Sequence, residues 1–216
     1  MGTDMTTAAL KDARFWDNIA DEYSRKPIAD EEAYEIKLSI TREYLAPNAR
    51  IFEFGCGTGS TALRHAPFVG HVDATDISPE MIAIAQQKAR TENVSNVDFR
   101  TGDIAEMDVE GESYDAVLGL SILHLLKDRE AVIRKVHRML KPGGVFVTST
   151  ACLGDNQSYL SPILSLMRWI GKAPYVSVFT QDDLISQHNQ AGFQIIHQWH
   201  PKRDAALFLI ARKMED

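Results

Sequence analysis

Cysteine is scarce: Cys56 and Cys152 are the two in 216 residues. One bridge at most could form, so a disulfide-stapled scaffold is excluded and a reducing, cytoplasmic setting is expected. Basic residues are outnumbered, 23 Lys and Arg against 30 Asp and Glu, and no basic stripe runs along the chain. That speaks against a nucleic-acid partner, whose phosphates call for clustered cations. The amino terminus has no charged segment leading into an apolar run, so no signal peptide is expected. "MGTDMT" fits a minimal myristoylation pattern, but no basic cluster or second lipid site accompanies it, and the match is read as chance. No apolar stretch is long enough to span a bilayer. A close pair of histidines, His197 and His200, would fall on opposite faces of a strand, so no metal site is expected. Internal repeats and low-complexity linkers are also missing.

What is present is an alternation of helix and strand signals. Ala33, Ile36, Ile40 and Tyr44 recur at helical spacing, which predicts a helix from Asp30 to Leu45, stopped by Pro47 and Asn48. "RIFEFG", "GHVDATD", "NVDFRTGD", "YDAVLGLS" and "VFVTSTA" read as five strands. Ser78-Pro79 starts one helix, Asp128 caps another that "KPGG" ends, and Thr180 with Asp183 resembles a capping box. "FQIIHQW" and "ALFLIAR", joined by "HPKRD", make a final antiparallel pair. The pattern predicts a single α/β domain over 1–216, with a doubly wound, mostly parallel, Rossmann-like sheet of seven strands whose last is antiparallel.

"FEFGCGTGS", residues 52–60, is the loudest signal. Gly55, Gly57 and Gly59 follow a buried strand and enter a helix, where backbone amides and the helix dipole suit an anionic or electron-rich ligand. Asp76 closes the second strand about twenty residues on, where a carboxylate can grip ribose hydroxyls. A nicotinamide-dependent oxidoreductase shares that much, but would want glycine or alanine where Ser60 stands, and would begin closer to its first strand.

The chain resembles the class I S-adenosylmethionine-dependent methyltransferases, small-molecule type, from about Trp16 to its end. "FEFGCGTG" looks like that family's first motif, with Glu53 as its acid; "DATDISPEMI" like the ribose segment; "TGDI" like the adenine segment; "YDAVLGLSILHLL" like the motif beside the methyl group; "LKPGGVFVTST" like the passage into the fifth strand. The resemblance implies S-adenosylmethionine as cofactor and S-adenosylhomocysteine as product. It implies a cofactor site of Glu53, Gly55, Cys56, Gly57, Thr58, Gly59, Asp76, Ile77, Met81, Gly102, Asp103, Ile104, Leu120, Ser121 and Tyr23. Tyr23 and His124 are the candidates for proton handling. A helical arm over 1–48 and an insert over 153–180 are expected to close the substrate pocket, with Trp16, His124, Met167 and Trp169 facing a small, apolar or amphiphilic acceptor. "GLSI" replaces the Asn/Asp-Pro-Pro-aromatic run of the members that methylate base amines or glutamine. A binding protein that has lost turnover is the alternative from another class.

Overall fold

A computed structural model describes residues 7–155, 173–202 and 206–215. Seven strands make one sheet in the order β3-β2-β1-β4-β5-β7-β6. They are β1 (Arg50–Phe54), β2 (His71–Asp76), β3 (Val97–Thr101), β4 (Tyr114–Leu120), β5 (Leu140–Thr150), β6 (Phe193–Trp199) and β7 (Leu207–Lys213). β1 to β5 are parallel, and β7 runs antiparallel to both β5 and β6. The expected seven-stranded sheet with its antiparallel end is therefore present. Strand order reverses at β1/β4, the place where such sheets open a crevice at their carboxyl edge.

Before the sheet come α1 (Thr7–Arg25) and α2 (Glu31–Arg42); between strands lie α3 (Ser60–His65), α4 (Pro79–Thr91), α5 (Arg129–Met139) and α6 (Gln181–Gln190). Ser78, Asp128 and Thr180 cap as the sequence announced, and Asp30, expected as the first helical residue, is a cap as well. Asp30, Ser78 and Asp128 accept from Ala33, Met81 and Ala131 amides, and Thr180 and Asp183 form a full capping box. α2 stops at Arg42, short of the predicted Leu45, because the amides of Glu43, Tyr44 and Leu45 turn back to carbonyls three residues earlier. β5 begins at Leu140 rather than Val145. Leu140 pairs with Tyr114, and "KPGG" is absorbed as an irregularity before Val145 meets Ala116.

Side chains alternate through the sheet into two cores. Ile51, Val72, Leu118, Val147 and Ile210 face one way with α3 and α4. Phe52, Phe54, Val117, Phe146 and Leu209 face the other with α5 and α6. Cys56 follows β1 and Cys152 follows β5, with β4 between; both thiols are free. No described helix is long and apolar enough to cross a membrane.

Candidate active site

A cavity of about 290 Å³ opens at the carboxyl ends of β1, β2 and β4. Trp16, Tyr23, Gly55, Gly57, Asp76, Ile77, Met81, Gly102, Asp103, Ile104, Leu120 and Ser121 line it. Five separate stretches of sequence converge there because each follows a parallel strand out of the same edge, or, in α1, lies across it.

Asp76 is the best-held of these groups. It is 8% exposed. Its Oδ2 accepts the Gly57 amide at 2.9 Å and its Oδ1 accepts the Ser78 amide at 2.9 Å. Burial raises its pKa, while those amides pull the other way. A carboxylate accepts about four hydrogen bonds, so each oxygen keeps capacity for a ligand hydroxyl. Asp103, just past β3, accepts the Ala105 amide at 2.9 Å and is likewise raised by burial.

The three loop glycines divide by what surrounds them. A Cβ on Gly55 would stand 2.6 Å from Ile122 Cγ1, and one on Gly59 would stand 2.7 Å from Phe99 and 2.8 Å from Ala85. Packing alone forbids side chains there. A Cβ on Gly57 would meet nothing nearer than Tyr23 Cε1, at 3.9 Å. Gly57 is the loop position whose bare face turns to the cavity, a cradle that a Cβ would fill.

Glu53, Cys56, Thr58 and Gly59 stand behind the lining. Glu53 is 3% exposed; it accepts the Ala62 amide, and its Oε2 has no partner. Burial first, and then the Asp76 charge, push its carboxyl up to about 8. Thr58 is held by Lys88 Nζ at 2.9 Å. Cys56 is buried and donates to the Gly57 carbonyl at 3.7 Å; burial raises its thiol well above the usual range. His124 sits on the short 3-10 turn Leu123–Leu125. Its ring lies outside the lining, its Nδ1 has no partner, and burial takes its pKa down to about 4. Met167 and Trp169 fall outside the described residues, as does most of the insert.

Three residues of α1, Asp12, Trp16 and Tyr23, line the cavity. Trp16 and Tyr23 meet edge to face at 6.3 Å. Asp12 reaches Lys127 at 3.8 Å, and both line the cavity. The sequence pattern did not point to Asp12, Phe54, Glu106, Ile122, Leu125, Leu126, Lys127, Asp128 and Tyr175, which also line it. "SILHLL" already held three of them; its apolar residues, rather than its histidine, turn to the cavity. The base of the insert is fixed by Gly154 N to Phe179 O at 2.8 Å and Ser177 N to His124 O at 2.7 Å. That brings Pro174 and Tyr175 to the rim.

His197 packs on Phe208 while His200, past the end of β6, contacts Gln181, so the two histidines face different neighbours. Among the described residues His71, Asp73 and Asp98 have metal-ligand spacing. They lie at the amino ends of β2 and β3, away from the cavity, and Arg50 and Arg100 already pair with the two acids.

The family model for the methyltransferase domain matches residues 51–144, which span the glycine loop, both cavity carboxylates and the fourth-strand motif. The chain belongs to the class I S-adenosylmethionine-dependent methyltransferases. The arsenite methyltransferase of Halobacterium salinarum is 28% identical over 190 residues, covering 79% of this chain and 47% of that protein. The malonyl-[acyl-carrier protein] O-methyltransferase of Bacillus cereus is 32% identical over 150 residues, covering 68% and 54%. The chain thus spans about half the length of these curated relatives. In fold it superposes on the [4+2]-cyclase SpnF with a TM-score of 0.80 at 17% identity, covering 100% of this chain and 99% of the other.

Proposed function

We propose that the protein binds S-adenosylmethionine in this cavity and transfers its methyl group to a small apolar or amphiphilic acceptor. The observation that carries the reading is the presence of Asp76 and Asp103, from different strand ends, in one cavity with the open face of Gly57. Those residues fit the cofactor: Asp76 has oxygen lone pairs left for two ribose hydroxyls, Asp103 can accept from the adenine amine, and Gly57 lets the ligand lie against the main chain. Ile77, Met81, Gly102 and Ile104 supply the apolar walls around base and ribose, and Gly55, Leu120 and Ser121 lie toward the methionine end. Glu53, Cys56, Thr58 and Gly59 support that surface from behind.

Bound S-adenosylmethionine supplies an activated methyl on a sulfonium whose departure needs no protonation. The chain's work is to hold the acceptor in line and keep water out. Trp16 and Tyr23, carried by α1, line the cavity together with Ile122, Leu125, Leu126 and Tyr175, which supply large apolar surface for an acceptor. A base is required only for an acceptor that arrives protonated. Tyr23, which lines the cavity, is the candidate for that task. His124 has the neutral ring a base needs, but at a pKa of about 4 it would be a feeble one.

A relative in fold is a cyclase, so turnover is what must be measured. Calorimetry with S-adenosylmethionine, followed by release of S-adenosylhomocysteine across a panel of small acceptors, tests the proposal. Binding without release from any acceptor favours the non-catalytic alternative. Tight NADH binding with no S-adenosylmethionine binding would favour the oxidoreductase.

A further inference from the structure

The side chain that ties the arm to the cavity does not line the cavity. Asp17 lies in the middle of α1, on the turn after Trp16, and α1 packs along α4. Its Oδ1 accepts the Ser78 hydroxyl at 2.6 Å and lies 3.3 Å from the Glu80 amide. Ser78 is 0% exposed and is engaged at three points. Its hydroxyl donates to Asp17 and accepts the Met81 amide at 3.1 Å, while its own amide donates to Asp76 Oδ1 at 2.9 Å. A continuous chain of bonds therefore runs from the arm, through the cap of α4, to the carboxylate at the end of β2. Asp17 acts as a second, foreign cap: it accepts from the first turn of α4, where unpaired amides and the helix dipole favour a negative charge.

We propose that Asp17 is a positioning residue that couples docking of the α1 arm to cofactor binding. With Asp17 seated, Ser78 is oriented so that its amide fixes one oxygen of Asp76, and Trp16, one residue before, is laid over the cavity. With Asp17 lifted away, Ser78 loses the acceptor for its hydroxyl, and the turn from Ser78 to Glu80, whose first amide holds Asp76 Oδ1, loses its tie to the arm. Coupling of this kind is reciprocal, so a ligand held by Asp76 must in turn hold the arm down. The inference rests on the reading of the cavity as an S-adenosylmethionine site.

The test uses the full chain and S-adenosylmethionine. In calorimetry Asp17→Ala is expected to weaken binding about tenfold, a typical size for coupled sites. Asp17→Asn keeps an oxygen acceptor for Ser78 and should stay within about threefold of the wild type. Combining Asp17→Ala with Ser78→Ala should cost no more than the worse single change, since both cut one chain of bonds. Amide exchange in α1 should slow when S-adenosylmethionine binds the wild type, and not in Asp17→Ala. A purely structural helix contact would be rescued by asparagine as well, but would not give ligand-dependent protection of α1. Wild-type binding with Asp17→Ala unchanged, additive losses in the double variant, or α1 exchange indifferent to ligand would each overturn the coupling. A wild type that does not bind S-adenosylmethionine at all would overturn the cavity reading, and this inference with it.

Discussion

At the scale of single residues, the glycine loop separates two demands that look alike in sequence. Gly59 is glycine because α4 and β3 press on it; Gly57 is glycine because the cavity does. Gly59→Ala is expected to cost about 2–5 kcal/mol of stability, overpacking added to the strain of its left-handed backbone at φ 77°. Gly57→Ala meets no neighbour closer than 3.9 Å, so its penalty is the left-handed backbone, about 1–2 kcal/mol, with a disproportionate loss of S-adenosylmethionine affinity. Urea melts beside calorimetry on both variants check this; equal binding losses would mean that neither glycine faces the ligand. Asp76→Ala should cost about 1.5–3 kcal/mol of S-adenosylmethionine binding, as for hydrogen bonds to a charged group. Unchanged affinity in calorimetry would remove Asp76 from the site.

At the scale of elements, what matters is how the connections are pinned. Arg129, at the start of α5, is 8% exposed and has no carboxylate within bonding range among the described residues. Its guanidinium lies 3.5 Å over the Phe179 ring, donates to Gln187 Oε1 at 2.7 Å, and reaches Ser177 Oγ at 3.4 Å. One cation thus joins α5, the returning end of the insert and α6. Its pKa is lowered, chiefly by burial, yet an arginine stays charged, so the contacts must offset its desolvation. Arg129→Met should destabilise the fold by roughly 2–3 kcal/mol, combining a lost cation–π contact with lost charge-assisted bonds. Chemical denaturation measures it. A midpoint equal to wild type would show that the apolar replacement packs as well, as some buried ionic groups allow.

For the whole molecule, buried titrating groups set the response to pH. His65, His124 and His188 are each brought down to about 4 by burial. Unfolded histidine takes up its proton near 6.5, so these three favour the fold above that pH and withdraw their support as pH falls toward 4. Glu53 works the other way. Its carboxyl is held near 8 in the fold against 4.5 outside it, so the native state keeps a proton that the unfolded chain releases, and stability drains as pH rises between those values. Below 6.5 the histidines outnumber it; above 6.5 it acts without them. The unfolding free energy, from chemical denaturation at each pH, should peak near pH 6.5 and decline toward 8 with a slope of about 1.4 kcal/mol per pH unit. Glu53→Gln should abolish the alkaline decline and leave the acid limb in place. A variant that declines as the wild type does would show Glu53 already ionised in the fold.

The sheet, its antiparallel end, most of the helix caps and half of the cavity lining can be read from the residues in order. Those features are local: a capping side chain bonds within three residues, and a parallel strand delivers whatever follows it to the same edge. That is why Asp76, Asp103 and the glycine loop are legible in the order of residues alone. Position along the chain did not reveal which side of a turn a residue presents. His124 and Leu125 are adjacent in "SILHLL", yet only Leu125 lines the cavity. Nor could spacing show that Ser78, legible as a cap, is itself capped by Asp17 sixty-one residues earlier, or that Asp12 meets Lys127 across the arm. Those contacts exist only after α1 has packed on α4. Tertiary structure decided them because burial, not sequence distance, chooses which polar groups must find one another.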